Sequence, residues 1–221
     1  METKTKQLKK DLLTWYTNNK RSFSWRNTND PWKVLLIEMI SQQTQINRAD
    51  TYYQKFIKRC PTPESMSKSS LKTILKMWSG LGYNNRAKRL YESSKILADQ
   101  GFEGIYPNFE ILPGVGPYTK NAILSFAYGD KVLAVDTNLE RIITRYFGVD
   151  NAKDYVRKYS NLLLEDINSK DLNQAFMDFG SSVCTSSKTK CDICPLEKSC
   201  KKYFINPKNS IKKFKLSLIH I

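Results

Sequence analysis

Two carboxylates and four thiols have the types and spacing in this sequence to do chemistry. Glu38 stands in Trp32-Lys33-Val34-Leu35-Leu36-Ile37-Glu38-Met39-Ile40, a stretch otherwise nearly all apolar. Burying a carboxylate there raises its pKa and favours the protonated form, as a general acid near neutral pH requires. The alternative is a structural glutamate with a basic partner. Asp136 follows Val132-Leu133-Ala134-Val135 and precedes Thr137-Asn138. A helix should begin there, and its N–H donors would keep the carboxylate ionised. Thr137 and Glu140 fit a capping box, which leaves Asp136 one residue outside the helix; alternatively Asp136 is the cap itself. Cys184, Cys191, Cys194 and Cys200 follow the pattern C-x6-C-x2-C-x5-C. Four thiolates so close in sequence suit an all-cysteine zinc site or a [4Fe–4S] cluster. Paired zinc knuckles usually show two C-x2-C pairs, and only one occurs here.

A third feature is Leu112-Pro113-Gly114-Val115-Gly116-Pro117-Tyr118-Thr119. Gly114 and Gly116 permit positive φ and leave no side chain between backbone and ligand. Pro117 suits the first helical turn, whose free N–H groups would point outward as a phosphate site. A tight helix–helix connection could use the same residues.

These residues must be positioned by helices. Leu8, Leu12, Leu13 and Trp15-Tyr16 predict a helix over 7–18. Residues 20–29 read as a loop, with Phe23-Ser24-Trp25-Arg26 inside it. Asp30-Pro31 then marks a helix start, and the helix from Trp32 to about Gln43 is apolar nearly all round, hence buried. Gln42-Gln43-Thr44-Gln45 closes it with a run of hydrogen-bonding side chains suited to base-edge or gap-filling contacts. An aromatic helix with Tyr52, Tyr53 and Phe56 follows, then a break at Pro61 and Pro63. A helix is expected over 69–78, a turn over 79–83, and a basic helix from Asn85 to about Ala98. Leu139, Ile142, Ile143, Tyr146 and Phe147 predict a further helix over 138–147. No strand alternation and no internal repeat occurs, so the fold class is all-α.

The chain of 221 residues is long enough for one large or two small domains, and 40% apolar with 26% charged residues describes a globular protein. Lys plus Arg number 36 against 21 Asp plus Glu, a net charge of +15. That excess points to a polyanion, either nucleic acid or an anionic surface. The first twenty residues have no apolar signal core, and no run approaches the ~18 apolar residues of a membrane span. The expected compartment is therefore the cytoplasm, associated with the nucleoid. Five cysteines in a reducing compartment favour a metal site over disulfides; Cys60 reads as a packed thiol. Lys188, Lys190, Lys198, Lys201 and Lys202 would present charge to a phosphate backbone, and His220, the one histidine, lies in a basic tail.

In combination these residues resemble a family, the helix-hairpin-helix (HhH-GPD) DNA glycosylases with an iron–sulfur cluster, and within it the adenine DNA glycosylase branch. Ser24-Trp25-Arg26, Glu38-Met39 with Gln42-Gln43-Thr44-Gln45, Trp78-Ser79-Gly80-Leu81-Gly82-Tyr83 and Phe176-Met177-Asp178-Phe179-Gly180 carry the resemblance to that branch. It implies a two-domain arrangement: a helical barrel with the hairpin over 28–131, a cluster domain from 1–27 plus 132–204, and a basic tail over 205–221. It further implies that Glu38 protonates the target base and activates water, and that Asp136 stabilises an oxocarbenium-like sugar. Tyr118 and Asn138 would support them. Gln43 and Tyr83 would enter the duplex at the lesion, Gly114 and Gly116 would grip phosphate, and Arg26 and Gln174 would contact the flipped base. The four cysteines would hold a [4Fe–4S] cluster.

The implied partner is double-stranded DNA carrying a mismatch, with no membrane, bound by a monomer. Lyase-type relatives such as endonuclease III carry a lysine where this chain has Tyr118. Lys120 lies about 200° around the helix from it, so a monofunctional enzyme is expected. The departures are Tyr83-Asn84 in place of a tyrosine pair, Thr137 in place of a common glycine, and an end about twenty residues past the cysteines, where adenine enzymes usually continue into an 8-oxoguanine-reading domain. Relatives with a tyrosine at the hairpin also act on thymine or uracil opposite guanine. Adenine opposite guanine or 8-oxoguanine, thymine or uracil opposite guanine, and a non-catalytic lesion-binding module are thus the three readings. A membrane-surface protein is set aside for want of an anchoring segment.

Overall fold

A computed structural model describes residues 1–201. The expected tail over 205–221, with His220, and Lys202 lie outside the described residues. Among the described residues the secondary structure is helical, with no strand. No helix there is long and apolar enough to cross a membrane. Two compact units form: Arg21–Ala134 with Ile167–Lys170, and Met1–Lys20 with Val135–Asp166 and the described part of the chain from Asp171.

In the first of these, α2 (Pro31–Ser41) is the central element. Its start is written locally: the Asp30 carboxylate accepts from the N–H groups of Trp32 and Lys33, and Pro31 fills the first turn. Trp32, Leu35, Leu36, Met39 and Ile40 are buried. Around α2 come α3 (Ile46–Arg59), α4 (Pro63–Ser67), α5 (Leu71–Trp78), α6 (Asn85–Ile105) and α7 (Pro117–Ile123). The short α4 was not expected between Pro61 and the next helix; Thr62 and Ser65 cap it reciprocally. The α6 segment runs beyond Ala98, broken at Gly101, whose φ is 67°. Cys60 is a packed thiol, as expected: it is fully buried, burial raises its pKa, and its carbonyl accepts from the Trp32 indole at 3.0 Å.

The second unit packs α1 (Glu2–Asn19), α8 (Thr137–Phe147), α9 (Ala152–Leu164) and α10 (Ser169–Ser182, here from Asp171 on). Its core is built from Leu8, Leu12, Ile142, Ile143, Phe147, Leu163, Phe176 and Phe179. Trp15 meets Phe179 edge to face with ring centroids 5.0 Å apart. Helix α9 carried no expectation from the sequence, although Asn151 caps it plainly.

Candidate active site

Glu38 lies two-thirds of the way along α2 and is 8% exposed. The apolar run around it therefore buries it, as its sequence context predicts. In the same unit the hairpin follows α6 and leads into α7. The Ser93 hydroxyl of α6 donates to the Pro113 carbonyl at 3.1 Å, and Val115 N–H closes a turn onto Leu112 at 3.0 Å. Gly114 has φ +86°, and a Cβ there would stand 2.8 Å from the Met39 methyl and 3.2 Å from Arg89 Cδ. Its missing side chain serves the packing of the hairpin onto α2 and α6. Gly116 corrects the expectation of positive φ: it is extended, at φ −99° and ψ −177°, because it is the residue before the Pro117 helix. A Cβ on Gly116 would meet open space, so this glycine is the one with an unobstructed approach.

Tyr118 is half-buried in the first turn of α7. Lys120 is committed elsewhere, its ammonium 3.0 Å from the Glu110 carboxylate. Arg26 sits in the 21–30 loop with its guanidinium 5.6 Å from the Phe23 ring, and Phe23 stacks on Trp25. Gln43 and Tyr83, both exposed, occupy the left-handed region at φ 54° and 48°, which non-glycine residues enter only at a cost.

In the other unit the helix start at Asp136 differs from the capping-box expectation. Asp136 is the N-cap of α8, extended at φ −105°, with its carboxylate accepting from the Leu139 N–H at 2.8 Å. Thr137 is the first helical residue, so its hydroxyl is past the position from which a side chain can reach the free N–H groups. The second carboxylate oxygen accepts from Asn138 Nδ2 at 2.6 Å. Burial pushes the pKa of Asp136 above the ordinary carboxylate range, and the Leu139 N–H, Asn138 and the nearby Arg141 oppose that rise. The donors restrain the shift without cancelling it.

Asn138 is held in turn. Its Oδ1 accepts from Arg141 Nη2 at 2.6 Å. The same guanidinium donates to the Gly180 carbonyl at 2.7 Å, the Cys184 carbonyl at 2.8 Å and the Thr137 carbonyl at 3.2 Å. Gly180 lets α10 come this close, for a Cβ there would stand 2.5 Å from Asn138 Cβ. Neither Arg141 nor the role of Gly180 was read from the sequence. The three-residue spacing of Asn138 and Arg141 on one helical face was the available signal. Gln174, of α10, is buried at 6% exposure and its Oε1 accepts from the Tyr16 hydroxyl at 2.7 Å.

The four cysteines follow α10. Burial, opposed by the Leu196 N–H and reinforced by the neighbouring thiols of Cys184, Cys200 and Cys191, pushes the Cys194 thiol up to about 11. Arg145 faces Cys184 Sγ at 3.5 Å and donates to the Thr185 carbonyl at 2.6 Å, while Cys200 Sγ donates to the Arg145 carbonyl at 3.3 Å. Among the described residues no three His, Cys, Asp or Glu side chains are arranged to hold a metal ion. Lys188, Lys190, Lys198 and Lys201 are exposed around the thiols.

Comparison with known proteins gives this arrangement a lineage. Residues 36–165 match the family model described as HhH-GPD superfamily base excision DNA repair protein. The chain belongs to that superfamily. It is 39% identical over 204 residues to the adenine DNA glycosylase of Buchnera aphidicola subsp. Baizongia pistaciae, an alignment covering 88% of this chain and 58% of that protein. It is 34% identical to the adenine DNA glycosylase of Mycolicibacterium smegmatis, covering 84% of this chain and 66% of the other. The chain therefore spans less than two thirds of these relatives' length. Among solved structures, a thermostable thymine-DNA glycosylase superposes with a TM-score of 0.82 at 30% identity, covering 91% of this chain and 97% of that one. A trapped endonuclease III–DNA covalent intermediate superposes with a TM-score of 0.74 at 20% identity, covering 96% and 99%, which is a likeness of fold.

Proposed function

We propose that this protein is a monofunctional base-excision-repair DNA glycosylase that hydrolyses the N-glycosidic bond of adenine mispaired with guanine or 8-oxoguanine. The observation that carries this reading is the identity to adenine DNA glycosylases, 39% in one of them, over a span that includes Glu38, Tyr118, Asp136 and Asn138. The chemistry is consistent with it. A purine leaves readily only when protonated, and Glu38, buried in an apolar helix, is the group to supply that proton and then to activate water. The sugar left behind carries developing positive charge. Asp136, fixed by Leu139 N–H and Asn138, would stabilise it electrostatically. Tyr118 takes the place of a lysine nucleophile, and Lys120 is paired with Glu110, which supports hydrolysis without strand cleavage.

Arg26 and Gln174 would contact the extruded base, Gln43 and Tyr83 would fill the gap it leaves, and the 114–116 hairpin would hold the backbone. The partner is then duplex DNA with a mismatch, bound by a monomer in the cytoplasm at the nucleoid. Cys184, Cys191, Cys194 and Cys200 would hold a [4Fe–4S] cluster. The Cys194 thiol, whose ionisation is disfavoured by burial and by its neighbouring thiols, gains most from a cationic centre, and a cluster bonds each thiolate at a different iron. When bound, the cluster supplies a covalent anchor for the 184–200 loop and its lysines. The boundaries 28–131, 1–27 plus 132–204 and 205–221 are proposed for the barrel, cluster domain and tail.

A second reading, removal of thymine or uracil opposite guanine, is favoured by the 30% identity and TM-score of 0.82 to the thymine-DNA glycosylase. Duplexes carrying A·G, A·8-oxoG, T·G and U·G, incubated with the protein and then heated in alkali, separate the two. Release from the adenine duplexes alone supports the main reading, and release from T·G or U·G alone replaces it. Duplex binding without release from any of them would leave a lesion-binding module. Efficient borohydride trapping of a covalent complex would contradict the monofunctional assignment.

A further inference from the structure

We propose that Arg86 is a positioning residue that ties the loops bearing Gln43 and Tyr83 into one rigid edge, so that the two side chains enter a duplex as a pair. The inference rests on the reading of Gln43 and Tyr83 as lesion-entering residues and adds what holds them. Both are exposed, Tyr83 at 69%, and both adopt the left-handed backbone region without being glycine. Such strain persists only where the surroundings over-determine it. Both loops belong to the same unit, and one side chain reaches each of them.

Arg86 is the second residue of α6 and is 6% exposed. On one side its Nη1 donates to the carbonyls of Met39 and Ile40, at 3.3 and 3.0 Å, to the Gln42 carbonyl and to the Thr44 hydroxyl at 3.3 Å. On the other its Nη2 donates to the carbonyls of Leu81 and Gly82, at 3.0 and 3.3 Å. Gln43 is thus bracketed by acceptors at Gln42 and Thr44, and Tyr83 follows the acceptor at Gly82. The guanidinium also lies 5.1 Å from the Trp78 ring and 5.8 Å from the Tyr83 ring, within cation–π range.

The acceptors of this buried cation are the carbonyl dipoles at the C-terminal end of α2 and in the 79–83 turn, which favour positive charge. The outer side of that turn is held separately, by Arg48 to the Gly80 carbonyl and the Tyr52 hydroxyl to the Ser79 carbonyl. A helix cap alone would need only the α2 acceptors. The second set of bonds, across to the other loop, is what a planar fork provides and an ammonium cannot.

The test compares binding to a duplex with a tetrahydrofuran abasic analogue opposite guanine against the same duplex intact, with the full chain, by fluorescence anisotropy. Gln43→Ala and Tyr83→Ala should each lower the ratio of the two affinities. Arg86→Lys should lower it about tenfold, equivalent to about 1.4 kcal/mol, with affinity for the intact duplex unchanged. In a Gln43→Ala/Tyr83→Ala background it should add nothing, the non-additivity expected of residues acting as a unit. Thr44→Val, which removes one acceptor, should lower the ratio less, and it carries the test by itself should Arg86→Lys fail to fold. An unchanged ratio in Arg86→Lys, or in Thr44→Val where only that variant folds, overturns the inference if Gln43→Ala and Tyr83→Ala lower it. No drop in Gln43→Ala and Tyr83→Ala overturns the lesion-entering reading itself, and the inference with it.

Discussion

Replacing Gly180 by alanine sets two effects of opposite sign against each other. Inside a helix, glycine to alanine ordinarily stabilises by about 1 kcal/mol, because the chain has less freedom to lose on folding. Here the added Cβ would stand 2.5 Å from Asn138 Cβ, 2.9 Å from its Cγ and 2.8 Å from its Oδ1. Carbons in ordinary contact are roughly 3.5–4 Å apart, so the two helices or the Asn138 side chain must give by roughly 1 Å. Overpacking of this kind costs about 1–3 kcal/mol. The net change in stability is then from about zero to about 2 kcal/mol of loss, modest enough for the variant to fold.

Base release should suffer far more. Asn138 donates to Asp136 and accepts from Arg141, both at 2.6 Å, and a displacement of that size breaks at least one of the two bonds. Misplacement of a positioned group by about 1 Å can cost on the order of a hundredfold in rate. Single-turnover release from an A·8-oxoG duplex, alongside thermal unfolding, measures both quantities. A Gly180→Ala protein that is more stable than the native chain and equally active would refute the reasoning.

Four further outcomes are expected. Glu38→Gln keeps the volume and removes the proton, so base release should fall at least about a hundredfold with abasic-duplex binding retained; undiminished turnover would exclude Glu38 as the acid. Because burial raises the Asp136 pKa, the native state binds an extra proton between the ordinary carboxylate range and its raised value, and stability falls as pH rises through that window. Asp136→Asn removes the titration. Its Tm relative to the native protein should therefore be more favourable at pH 7 than at pH 4, with equal differences counting against the shift. Cys194→Ser should abolish any iron–sulfur absorbance of the purified protein and lower its Tm; a variant keeping the full absorbance would remove Cys194 from the ligand set. Lys120→Met should leave base release as it is, since that ammonium is paired with Glu110, and a large loss would place Lys120 at the site.

What was legible in the sequence was whatever is encoded locally. The start of α2 at Asp30-Pro31, the burial of Glu38 and the apolar face of α8 follow from neighbours within a turn or two, and the structure has them as the residue patterns require. Gly116 and Thr137 were misread although their determinants are equally local. Gly-x-Gly and Thr-x-x-Glu each admit two backbone solutions, and the choice falls to the residue alongside, Pro117 in one case and Asp136 in the other. Arg141 and Arg86 also bond near neighbours, but the bonds that join them to another element reach 39 to 47 residues away, as in the Gly180 and Met39 carbonyls, and those were illegible. An arginine that bonds backbone carbonyls leaves no complementary acidic residue in the sequence to betray it.

The role proposed for Asp136 beside a developing sugar cation, added to its place as N-cap, would account for an environment that pulls in two directions. As an N-cap it needs only one oxygen, which takes the Leu139 N–H; an asparagine or serine would do as well for the helix. The second oxygen takes the Asn138 amide, so neither is free to rotate toward solvent. Burial meanwhile makes the charge itself unfavourable. A carboxylate that is fixed in direction, poorly solvated and still supplied with donors has little reorganisation left to undergo when a cation develops beside it. A cap chosen for stability alone would have no reason to carry that cost. On that proposal, the Asn138, Arg141 and Gly180 contacts behind it serve to keep the anion in place.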